Sequence, residues 1–478
     1  MNFPPVGGYG SLLQQDVKHI LRRLFIIKIS LIIKLEYNLF FILIEQLVFE
    51  SNFHPYTSDV PHMIHSITKN VVVSLIGLAM EDGYIESVNQ KMVDLLPELD
   101  LDNLDESIND ITIEDLLTMQ TAFRWGPGNA SFEMYYESEH QLLYALERDM
   151  VNKPGEVFEY NSGATHILSV ILTETTGKST LAYAEEKIFA PLNIFDVQWA
   201  TDYQGYYMDG DMMFMKARDM AKFGSLYLQQ GVWDGEQLIP KDWIESATKT
   251  HVEENNYGYS WWVTDFGGFV GSGAGGQYLA VLPDEDMIVV ITSGIGNRHY
   301  DTLNSIMKNS ILSAVVSDEP IEENPEAFDR LQTIIEELSI PEDRIEPESL
   351  PETATGISGN TYLMDDEDTY ILDFTGGDEA FWTWHREGVG EYEVTIGLDN
   401  VYRVNHIETF FYYDQVDTQA APRGHWTADN TFILDFRCLE NAMSYFYEFE
   451  FDGDILHHRR TDQLNNSVLL STTGKIIE

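Results

Sequence analysis

The chain has 478 residues, about three times the ~150 residues of a typical domain, which predicts two or three domains. It carries 79 acidic and 28 basic residues, for a formal net charge of −51, and 44% of its residues are hydrophobic and 12% aromatic. This composition excludes a mainly disordered acidic chain, which would be poor in aromatic residues. It also argues against nucleic-acid binding, which needs a basic face. A single cysteine, Cys438, excludes an intramolecular disulfide framework and a Cys-rich zinc site, and we expect its side chain to be buried.

The negative charge is unevenly distributed along the chain. Residues 1–50 hold five basic and four acidic residues, whereas residues 51–478 hold 23 basic and 75 acidic residues. Residues 318–352 alone hold 13 acidic residues and five prolines. Because no candidate catalytic residue depends on this charge, we interpret it as a source of solubility or an adaptation to a salty habitat.

Residues 1–36 form an atypical apolar and basic segment. Lys28, Lys34 and Glu36 interrupt its apolar run. Each charge near the centre of a membrane span costs about 3 kcal/mol, so a membrane anchor is disfavoured. The first alanine of the chain is residue 79, so the A-x-A cleavage site of a signal peptide is also lacking. We expect residues 37–49 to supply one or two strands of the following domain.

Residues 37–317 contain both helical and strand patterns. Apolar periodicity predicts a helix over residues 66–86 that ends around Asp82-Gly83. Helical patterns recur over residues 113–119, 139–149, 164–175, 181–188, 217–229 and 302–315. Strand patterns cover residues 259–264, 277–282 and 287–292, with a turn at residues 283–286. Helices combined with a terminal antiparallel set of strands predict an α+β domain.

The rest of the chain has two parts of different character. Residues 318–352 are acidic and rich in proline, which predicts an interdomain linker, within which residues 328–338 can form a short helix. In residues 353–478, alternating patterns predict strands over residues 370–375, 380–385, 392–396, 409–413, 431–436 and 444–451. We therefore predict an all-β accessory domain with a barrel- or sandwich-like fold.

The first candidate for chemistry is Ser66-x-x-Lys69, at the start of a predicted helix. Residues i and i+3 share a helix face, so the Ser66 hydroxyl and the Lys69 amine can meet. A serine needs a neighbouring base to become a good nucleophile, and a lysine can be that base when burial lowers its pKa. The alternative is a capping serine with an exposed lysine. The apolar residues 71–77 instead favour a serine at the entry of a buried helix.

The second candidate is Tyr160, which lies in residues 158–163 just before the predicted helix 164–175. On such a loop a phenol can reach into a cleft and shuttle protons with a Ser/Lys pair. The alternative is a packed tyrosine whose hydroxyl is bonded locally, and the residues alone leave both open.

The third candidate is the glycine-rich segment at residues 271–277, which leads into the predicted strand 277–282. Glycines at a strand edge let a substrate approach and leave backbone N–H groups free to bind it. A phosphate-binding loop is excluded, because no G-K-[ST] follows and a strand comes next instead of a helix.

Together these three segments resemble the penicillin-recognising serine hydrolases, in the order nucleophile, tyrosine loop and glycine-rich strand. That family includes class C β-lactamases, D-alanyl-D-alanine carboxypeptidases, related esterases and 6-aminohexanoate-dimer hydrolases. The resemblance covers about residues 37–316 and extends to residues 115–119, 154–155, 220–224 and 257–262. It implies a β-lactamase/transpeptidase-like domain over residues 37–317, with an antiparallel sheet flanked by helices.

The resemblance also implies a role for each matching residue. Ser66 would be the acylated nucleophile, Lys69 its base, and Tyr160 the relay that passes a proton to the leaving group. The backbone N–H groups of Ser66 and Ala274 would form the oxyanion hole. No metal or organic cofactor is implied. Many relatives are exported, which favours a location outside the cytoplasm.

The sequence departs from the family pattern within two of its motifs. The family's Tyr-x-Asn has Ser162 in the third place, as in the 6-aminohexanoate-dimer hydrolases, and its Lys/His-Thr-Gly is replaced by Gly271-Ser272-Gly273. We take Ser162, Ser272 and Gly273 as candidate substrate-binding residues. The cation that usually holds a substrate carboxylate is missing. This disfavours β-lactamase and carboxypeptidase activity and favours a neutral ester or amide.

A third departure concerns the N-terminal hairpin. Relatives carry a turn such as Asn-Gly between its strands, whereas residues 43–46 contain no turn residue. We therefore hypothesise that much of residues 1–45 does not pack as it does in relatives.

The remaining polar clusters give weaker signals. Residues 365–368 indicate a solvated turn more than a calcium site, because no EF-hand spacing follows. His457 and His458 alternate across a strand, so the two rings cannot share a metal. Residues 209–211 predict a helix cap, although relatives place a substrate-facing loop here.

The sequence therefore predicts a serine hydrolase that forms an acyl-enzyme on Ser66 and acts on a small ester or amide. Residues 125–136 and 203–215 are the candidate pocket walls. One alternative is a non-catalytic ligand-binding or sensor protein that retains the fold, tethered to a membrane or not. Another, within the family, is a β-lactamase or D-Ala-D-Ala carboxypeptidase. No nucleic-acid partner is expected, and the oligomeric state is left open.

Overall fold

The computed structural model describes most of the chain between Leu39 and Ile477. The described residues are 39–43, 46–99, 103–126, 130–295, 299–315, 324–341, 343–347, 349–375, 377–387, 390–407, 418–463 and 467–477. They form an N-terminal unit of helices and sheets followed by an all-β unit, which confirms the predicted α+β class. The predicted segment 1–36 and the predicted strand 409–413 lie outside the described residues.

The N-terminal unit contains eleven described strands. They are β1 (Leu39–Leu43), β2 (Gln46–Ser51), β3 (His62–Met63), β4 (Gln198–Trp199), β5 (Met213–Met215), β6 (Val232–Trp233), β7 (Glu236–Gln237), β8 (Trp262–Val263), β9 (Phe269–Gly273), β10 (Gln277–Leu282) and β11 (Met287–Ile291). Six of them make one antiparallel sheet in the order β2-β1-β11-β10-β9-β8, and β3, β5 and β4 make a small second sheet.

Helices surround this sheet. They are α1 (Thr68–Glu81), α2 (Met92–Leu95), α3 (Ile113–Leu117), α4 (Ala130–Phe132), α5 (Gln141–Leu146), α6 (Ser162–Thr176), α7 (Thr180–Ala184), α8 (Ala217–Leu228), α9 (Lys241–Ala247) and α10 (His299–Ile306), followed by α11 (Pro325–Ser339) and α12 (Glu352–Ile357) towards the all-β unit. The helices predicted over residues 113–119, 164–175 and 217–229 correspond to α3, α6 and α8 and are confirmed.

Both faces of the central sheet are covered. Every residue of β10 and β11 is buried. On one face Leu279 and Val281 belong to the large core that includes Phe223 of α8, and on the other face Tyr278 packs with Leu303 of α10. Because neither face meets water, these strands are continuous apolar runs without polar alternation.

Three local predictions need correction. The helix predicted over residues 66–86 starts as a 3₁₀ turn, His65–Ile67, whereas its last residue, Glu81, directly precedes the predicted stop at Asp82-Gly83. The strand predicted over residues 259–264 is reduced to β8, since Ser260 has a φ of 59°, which no strand accommodates. Strand β9 was not predicted, because its glycines and serine carry no strand pattern.

The structure also limits the hypothesis about residues 1–45. Within that segment Leu39–Leu43 forms β1, which pairs with β11 on one side and with β2 on the other. These five residues therefore occupy an interior position of the main sheet, as the strand prediction for residues 37–49 requires.

The C-terminal unit is a closed barrel. Its described strands are β12 (Thr361–Met364), β13 (Thr369–Asp373), β14 (Glu379–Arg386), β15 (Gly390–Gly397), β16 (Asn405–Ile407), β17 (Thr418–Ala428), β18 (Thr431–Cys438), β19 (Ser444–Asp452), β20 (Ile455–Asp462) and β21 (Ser467–Ile476). Nine of them follow one another around the barrel, which closes where Gly397 of β15 pairs with Arg423 of β17, and β16 adds to β17. The barrel alternative of the prediction is therefore the one observed.

Helix α11 lies inside the acidic segment that the sequence predicts as a linker. Leu331, Ile335 and Leu338 on this helix pack against the apolar cluster that contains Phe49 and Phe53 of the N-terminal unit. The helix thus extends the first unit's core. The three predicted boundaries, after residues 36, 317 and 352, stay predictions. Across the described part of the chain, none of the helices combines the length and the apolar character that crossing a membrane would require.

Candidate active site

Ser66 lies in a tight turn at the entrance to the most buried helix of the N-terminal unit. The preceding residue, His65, has a φ of 48°, and Ser66 itself sits in the 3₁₀ turn that leads into α1. From Thr68 to Ala79 every residue of α1 is buried. The unpaired N–H groups at the start of this helix favour negative charge beside the serine.

Lys69 is buried beneath Ser66, with 1% of its surface exposed. Its Nζ forms hydrogen bonds with Ser66 Oγ at 3.0 Å and with Ser162 Oγ at 3.3 Å. A third goes to the backbone carbonyl of Gly210. All three acceptors are uncharged oxygens, so the lysine is positioned by hydrogen bonds to neutral groups and its amine directly faces the serine hydroxyl.

Tyr160 and Ser162 are placed by the residue between them. Asn161 caps α6, since its Oδ1 accepts a hydrogen bond from the Ala164 N–H at 2.7 Å, while its Nδ2 donates to the Glu159 carbonyl at 2.9 Å. These bonds fix the chain direction at the helix start. Ser162 consequently becomes the first residue of α6 and points its hydroxyl at Lys69.

The Tyr160 ring forms the wall of the site next to Lys69. The Lys69 Nζ lies 5.1 Å from the ring centroid. On its other sides the ring stacks on Trp262 at 6.0 Å and meets Tyr257 edge-on at 6.2 Å. The structure therefore brings Ser66, Lys69, Tyr160 and Ser162 together, as the sequence predicts, while their catalytic roles stay predictions.

Strand β9 runs closely past the nucleophile turn, which explains its glycines. A Cβ on Gly271 would lie 2.7 Å from the Asn70 side-chain oxygen, and a Cβ on Gly273 would lie 2.4 Å from the Ile64 carbonyl oxygen. Both distances are too short for any real Cβ, so only glycine fits at these two positions. Ser272, between them, is partly exposed beside the site.

Ala274 is exposed and opens a short 3₁₀ turn, Ala274–Gly276, between β9 and β10. Gly275 and Gly276 within this turn have φ values of 71° and 91°, in the left-handed region that favours glycine. Gln277 stabilises the turn, because its Nε2 donates to the Ala274 carbonyl at 3.2 Å and to the Ser293 carbonyl at 2.7 Å. The segment predicted simply to lead into a strand is therefore a strand end followed by a braced turn.

The loop at residues 209–211 belongs to this site, and its prediction as a helix cap is wrong. Helix α8 begins at Ala217, six residues beyond the loop, with Lys216 as its N-cap residue. The Gly210 carbonyl instead accepts the Lys69 hydrogen bond. Gly210 must be glycine here, since a Cβ would lie 1.9 Å from the Tyr135 hydroxyl oxygen. The sequence-level signal for this loop was the resemblance to the family, whose members place a substrate-facing loop at this position.

A histidine–carboxylate pair lies beside the nucleophile turn. His65 Nδ1 is 2.9 Å from Asp211 Oδ1, and the Met212 N–H donates to the same oxygen at 3.0 Å. Burial alone would raise the pKa of the Asp211 carboxyl, but His65, with a smaller contribution from Lys69, outweighs it and holds the pKa below its ordinary value. Asp211 is therefore a carboxylate over the working pH range, and sequence reasoning missed it.

Part of the predicted pocket wall 125–136 also reaches the site. Ser131 Oγ donates to Ser162 Oγ at 3.4 Å and accepts from Trp125 Nε1 at 2.9 Å. Tyr135 is buried, and burial raises the pKa of its phenol well above the ordinary value. The predicted wall 203–215 contributes through its residues 209–211.

The weaker signals lie away from this site, in the barrel. Cys438 is buried, as predicted. His458 is buried and His457 exposed on β20, which confirms that they face opposite sides. Asp368 accepts hydrogen bonds from the Arg386 guanidinium, so the 365–368 turn is anchored by an ion pair. Within the part of the chain that the structure describes, no cluster of three or more His, Cys, Asp or Glu side chains could hold a metal ion.

Known proteins share sequence or fold with this chain, and two of them show the kind of similarity. The 6-aminohexanoate-dimer hydrolase of Paenarthrobacter ureafaciens is 24% identical over 282 residues, which cover 52% of this chain and 71% of that protein. A solved structure called "Putative 6-aminohexanoate-dimer hydrolase from Bacillus anthracis" superimposes with a TM-score of 0.53 at 23% identity, over 61% of this chain and 81% of that one. The second likeness shows a common fold.

The family model described as "Beta-lactamase" matches residues 45–303. The match spans more than half of the chain and includes Ser66, Lys69, Tyr160 and the turn that contains Ala274. The chain therefore belongs to the beta-lactamase family of hydrolases.

Proposed function

We propose that the protein is a serine hydrolase that forms an acyl-enzyme on Ser66 and acts on a small neutral ester or amide. The observation that carries this proposal is the 3.0 Å hydrogen bond between the buried Lys69 amine and Ser66 Oγ at the start of α1. A nucleophile and a base within hydrogen-bond reach, with the base oriented by further groups, are the arrangement that nucleophilic catalysis requires.

In the acylation step, Ser66 Oγ attacks the substrate carbonyl carbon and gives its proton to the neutral Lys69 amine. The bond to the leaving group then breaks, and Tyr160 delivers a proton to the departing oxygen or nitrogen. The backbone N–H groups of Ser66 and Ala274 stabilise the oxyanion that forms between these events. In the second step a water gives a proton to the lysine–tyrosine pair and attacks the acyl carbon. The bond between that carbon and Ser66 Oγ then breaks, and the pair returns the proton to Oγ, which releases the acid and restores the Ser66 hydroxyl.

Local charge supports a neutral substrate. Gly271-Ser272-Gly273 replaces the cation-containing motif that relatives usually have, and Asp211 adds a carboxylate beside the nucleophile turn. His65 is paired with that carboxylate and is not free to bind an anion. A β-lactam or a peptide C-terminus carries a carboxylate that would meet this site without a partner, so we propose esters and uncharged amides instead.

The test compares wild type with Ser66→Ala on a panel of p-nitrophenyl esters and anilides, together with labelling by a fluorophosphonate probe. We expect hydrolysis and labelling to be lost in Ser66→Ala, and intact-mass spectrometry to find one probe adduct per wild-type chain. Ser313→Ala is the matched control and should behave as wild type, because Ser313 is exposed and its hydroxyl donates to the Asn309 carbonyl. Labelling that survives in Ser66→Ala would contradict the proposal, and a complete absence of adduct on wild type would favour a binding protein.

A further inference from the structure

The turn that carries the proposed oxyanion donor touches the barrel. A Cβ placed on Gly275 would lie 2.2 Å from the Cβ of Ala442, in the loop between β18 and β19. A neighbouring residue of that loop, Glu440, accepts a hydrogen bond at its carbonyl from the Met63 N–H at 2.5 Å. Met63 lies on β3, three residues before Ser66. One barrel loop therefore contacts the chain on both sides of the proposed oxyanion hole.

This loop, residues 439–443, contains the polar residues Glu440 and Asn441 and joins two strands at a barrel end, yet its residues 439–442 are buried. Such loops normally lie in water. Here Glu440 and Asn441 are only 2% and 3% exposed, and Ala442 is 2% exposed. The burial results from packing against the N-terminal unit, since the loop's carbonyl bonds to Met63 and its methyl group abuts Gly275.

The loop is also braced from within its own domain. The Asn441 side chain accepts a hydrogen bond from the Met443 N–H at 2.8 Å, and the Met443 carbonyl accepts one from the Cys438 N–H at 3.2 Å. The Leu439 N–H donates to the Gln419 carbonyl of β17 at 2.9 Å. These bonds tie the loop to the barrel wall, so it presents a fixed surface to its neighbour.

The opposite side of the Ala274–Gly276 turn is held by the N-terminal unit. The Gly275 carbonyl accepts from the Ile295 N–H at 2.8 Å and from Ser293 Oγ at 3.1 Å. The turn is thus held between the end of β11 and the barrel loop. A backbone held from both sides cannot relax when one of the two surfaces moves.

From these contacts we infer that the 439–443 loop of the barrel is a part of the active site that positions the Ala274 N–H, with Ala442 as the positioning residue. The inference rests on the proposed function, because it concerns the oxyanion hole of that reaction. Oxyanion donors act only when they are already aimed at the developing charge, and loss of one typically lowers kcat by about 10²–10³-fold. A larger side chain at position 442 would push the turn and misdirect the donor.

The experiment is a size series, Ala442→Ser, Ala442→Val and Ala442→Leu, assayed on the best p-nitrophenyl ester. We expect the serine variant to stay within about threefold of wild type. The leucine variant should lose about 100-fold in kcat with KM changed less than about threefold, because the substrate's ground state does not use the oxyanion hole. Inhibition by phenylboronic acid, whose tetrahedral adduct mimics the charged intermediate, should weaken in parallel with kcat. If the leucine variant fails to fold, the valine variant provides the same comparison.

The matched control is Ala354→Leu, which enlarges a fully buried alanine in the barrel core. It should lower the unfolding temperature of the barrel and leave kcat unchanged, which separates positioning from general damage. A kcat for Ala442→Leu within threefold of wild type, with hydrolysis still dependent on Ser66, would overturn this inference alone. Hydrolysis that persists in Ser66→Ala would overturn the proposed function and this inference with it.

Discussion

The contact between Gly210 and Tyr135 allows a quantitative test of the lysine site. A Cβ introduced by Gly210→Ala would lie 1.9 Å from the Tyr135 hydroxyl oxygen and 2.6 Å from Ser162 Cβ, whereas ordinary contact begins at 3.4 Å. Restoring contact with the tyrosine therefore requires a displacement of about 1.5 Å. The moving backbone includes the carbonyl that accepts the Lys69 hydrogen bond. A misplacement of about 1 Å commonly costs about 10²-fold in rate.

We therefore expect Gly210→Ala to lower kcat on p-nitrophenyl esters by about 100-fold, and overpacking to lower the free energy of unfolding by about 1–3 kcal/mol. Adding Tyr135→Phe removes the nearest obstacle and leaves Ser162 Cβ as the next one, at 2.6 Å. The required displacement then falls to about 0.8 Å. The loss of kcat caused by Gly210→Ala should therefore be smaller in the Tyr135→Phe background than in the wild-type background.

The control is Gly356→Ala in α12, where an added Cβ meets no atom within 4 Å. It should leave kcat unchanged and the unfolding temperature the same or slightly higher. A Gly210→Ala enzyme with wild-type kcat and stability would refute the reasoning, because it would mean that the loop yields without disturbing Lys69.

Two further predictions concern groups beside the site. Burial lowers the pKa of His62 to about 4, so the unfolded chain binds a proton that the folded chain refuses between about pH 6.5 and 4. The free energy of unfolding should fall as pH decreases through that window, by up to about 1.4 kcal/mol per pH unit from this group. When it is measured by urea titration at several pH values, this free energy should depend less on pH in His62→Gln than in His457→Gln, the control with an exposed ring. Asn161→Ala should cost about 1 kcal/mol of stability and also lower kcat, since the cap sets Tyr160, whereas Asn324→Ala, which removes the corresponding cap of α11, should cost stability alone. Equal kcat values for the two cap variants would contradict this reading.

The sequence sufficed for those parts of the fold where local patterns and burial agree. The strand at residues 277–282 matches β10 at both ends, and α8 differs from its predicted range by one residue. Strand β9 was not predicted, because its last residues, Gly271-Ser272-Gly273, have low strand propensity. The glycines are required there by close packing against the segment around Ser66. A tertiary contact between segments about 200 residues apart leaves no local pattern to recognise.

The candidate site was likewise predictable only where its residues have a local sequence pattern. The i, i+3 spacing of Ser66 and Lys69 predicts their contact from the sequence, because it is a local property of a helix. Gly210 acts through its backbone carbonyl, and a backbone atom has no residue type that could reveal it. Asp211 has meaning only because His65 lies 146 positions away in the chain and 2.9 Å away in space. The site's lysine environment therefore needed the fold, whereas its nucleophile did not.

We propose that the groups beside Ser66, and not the net charge of −51, select the charge of the substrate. At physiological ionic strength a surface charge is screened over about 8 Å, so the acidic residues 318–352 exert little force on a molecule bound at Ser66 unless they lie within that distance. Asp211 is a neighbour of the nucleophile turn and is partly buried, where screening is weak. Together with Gly271, which stands where relatives usually carry the cation, this carboxylate is the basis on which we propose uncharged substrates. Selectivity against anions should consequently be a property of the site that survives changes in the rest of the surface.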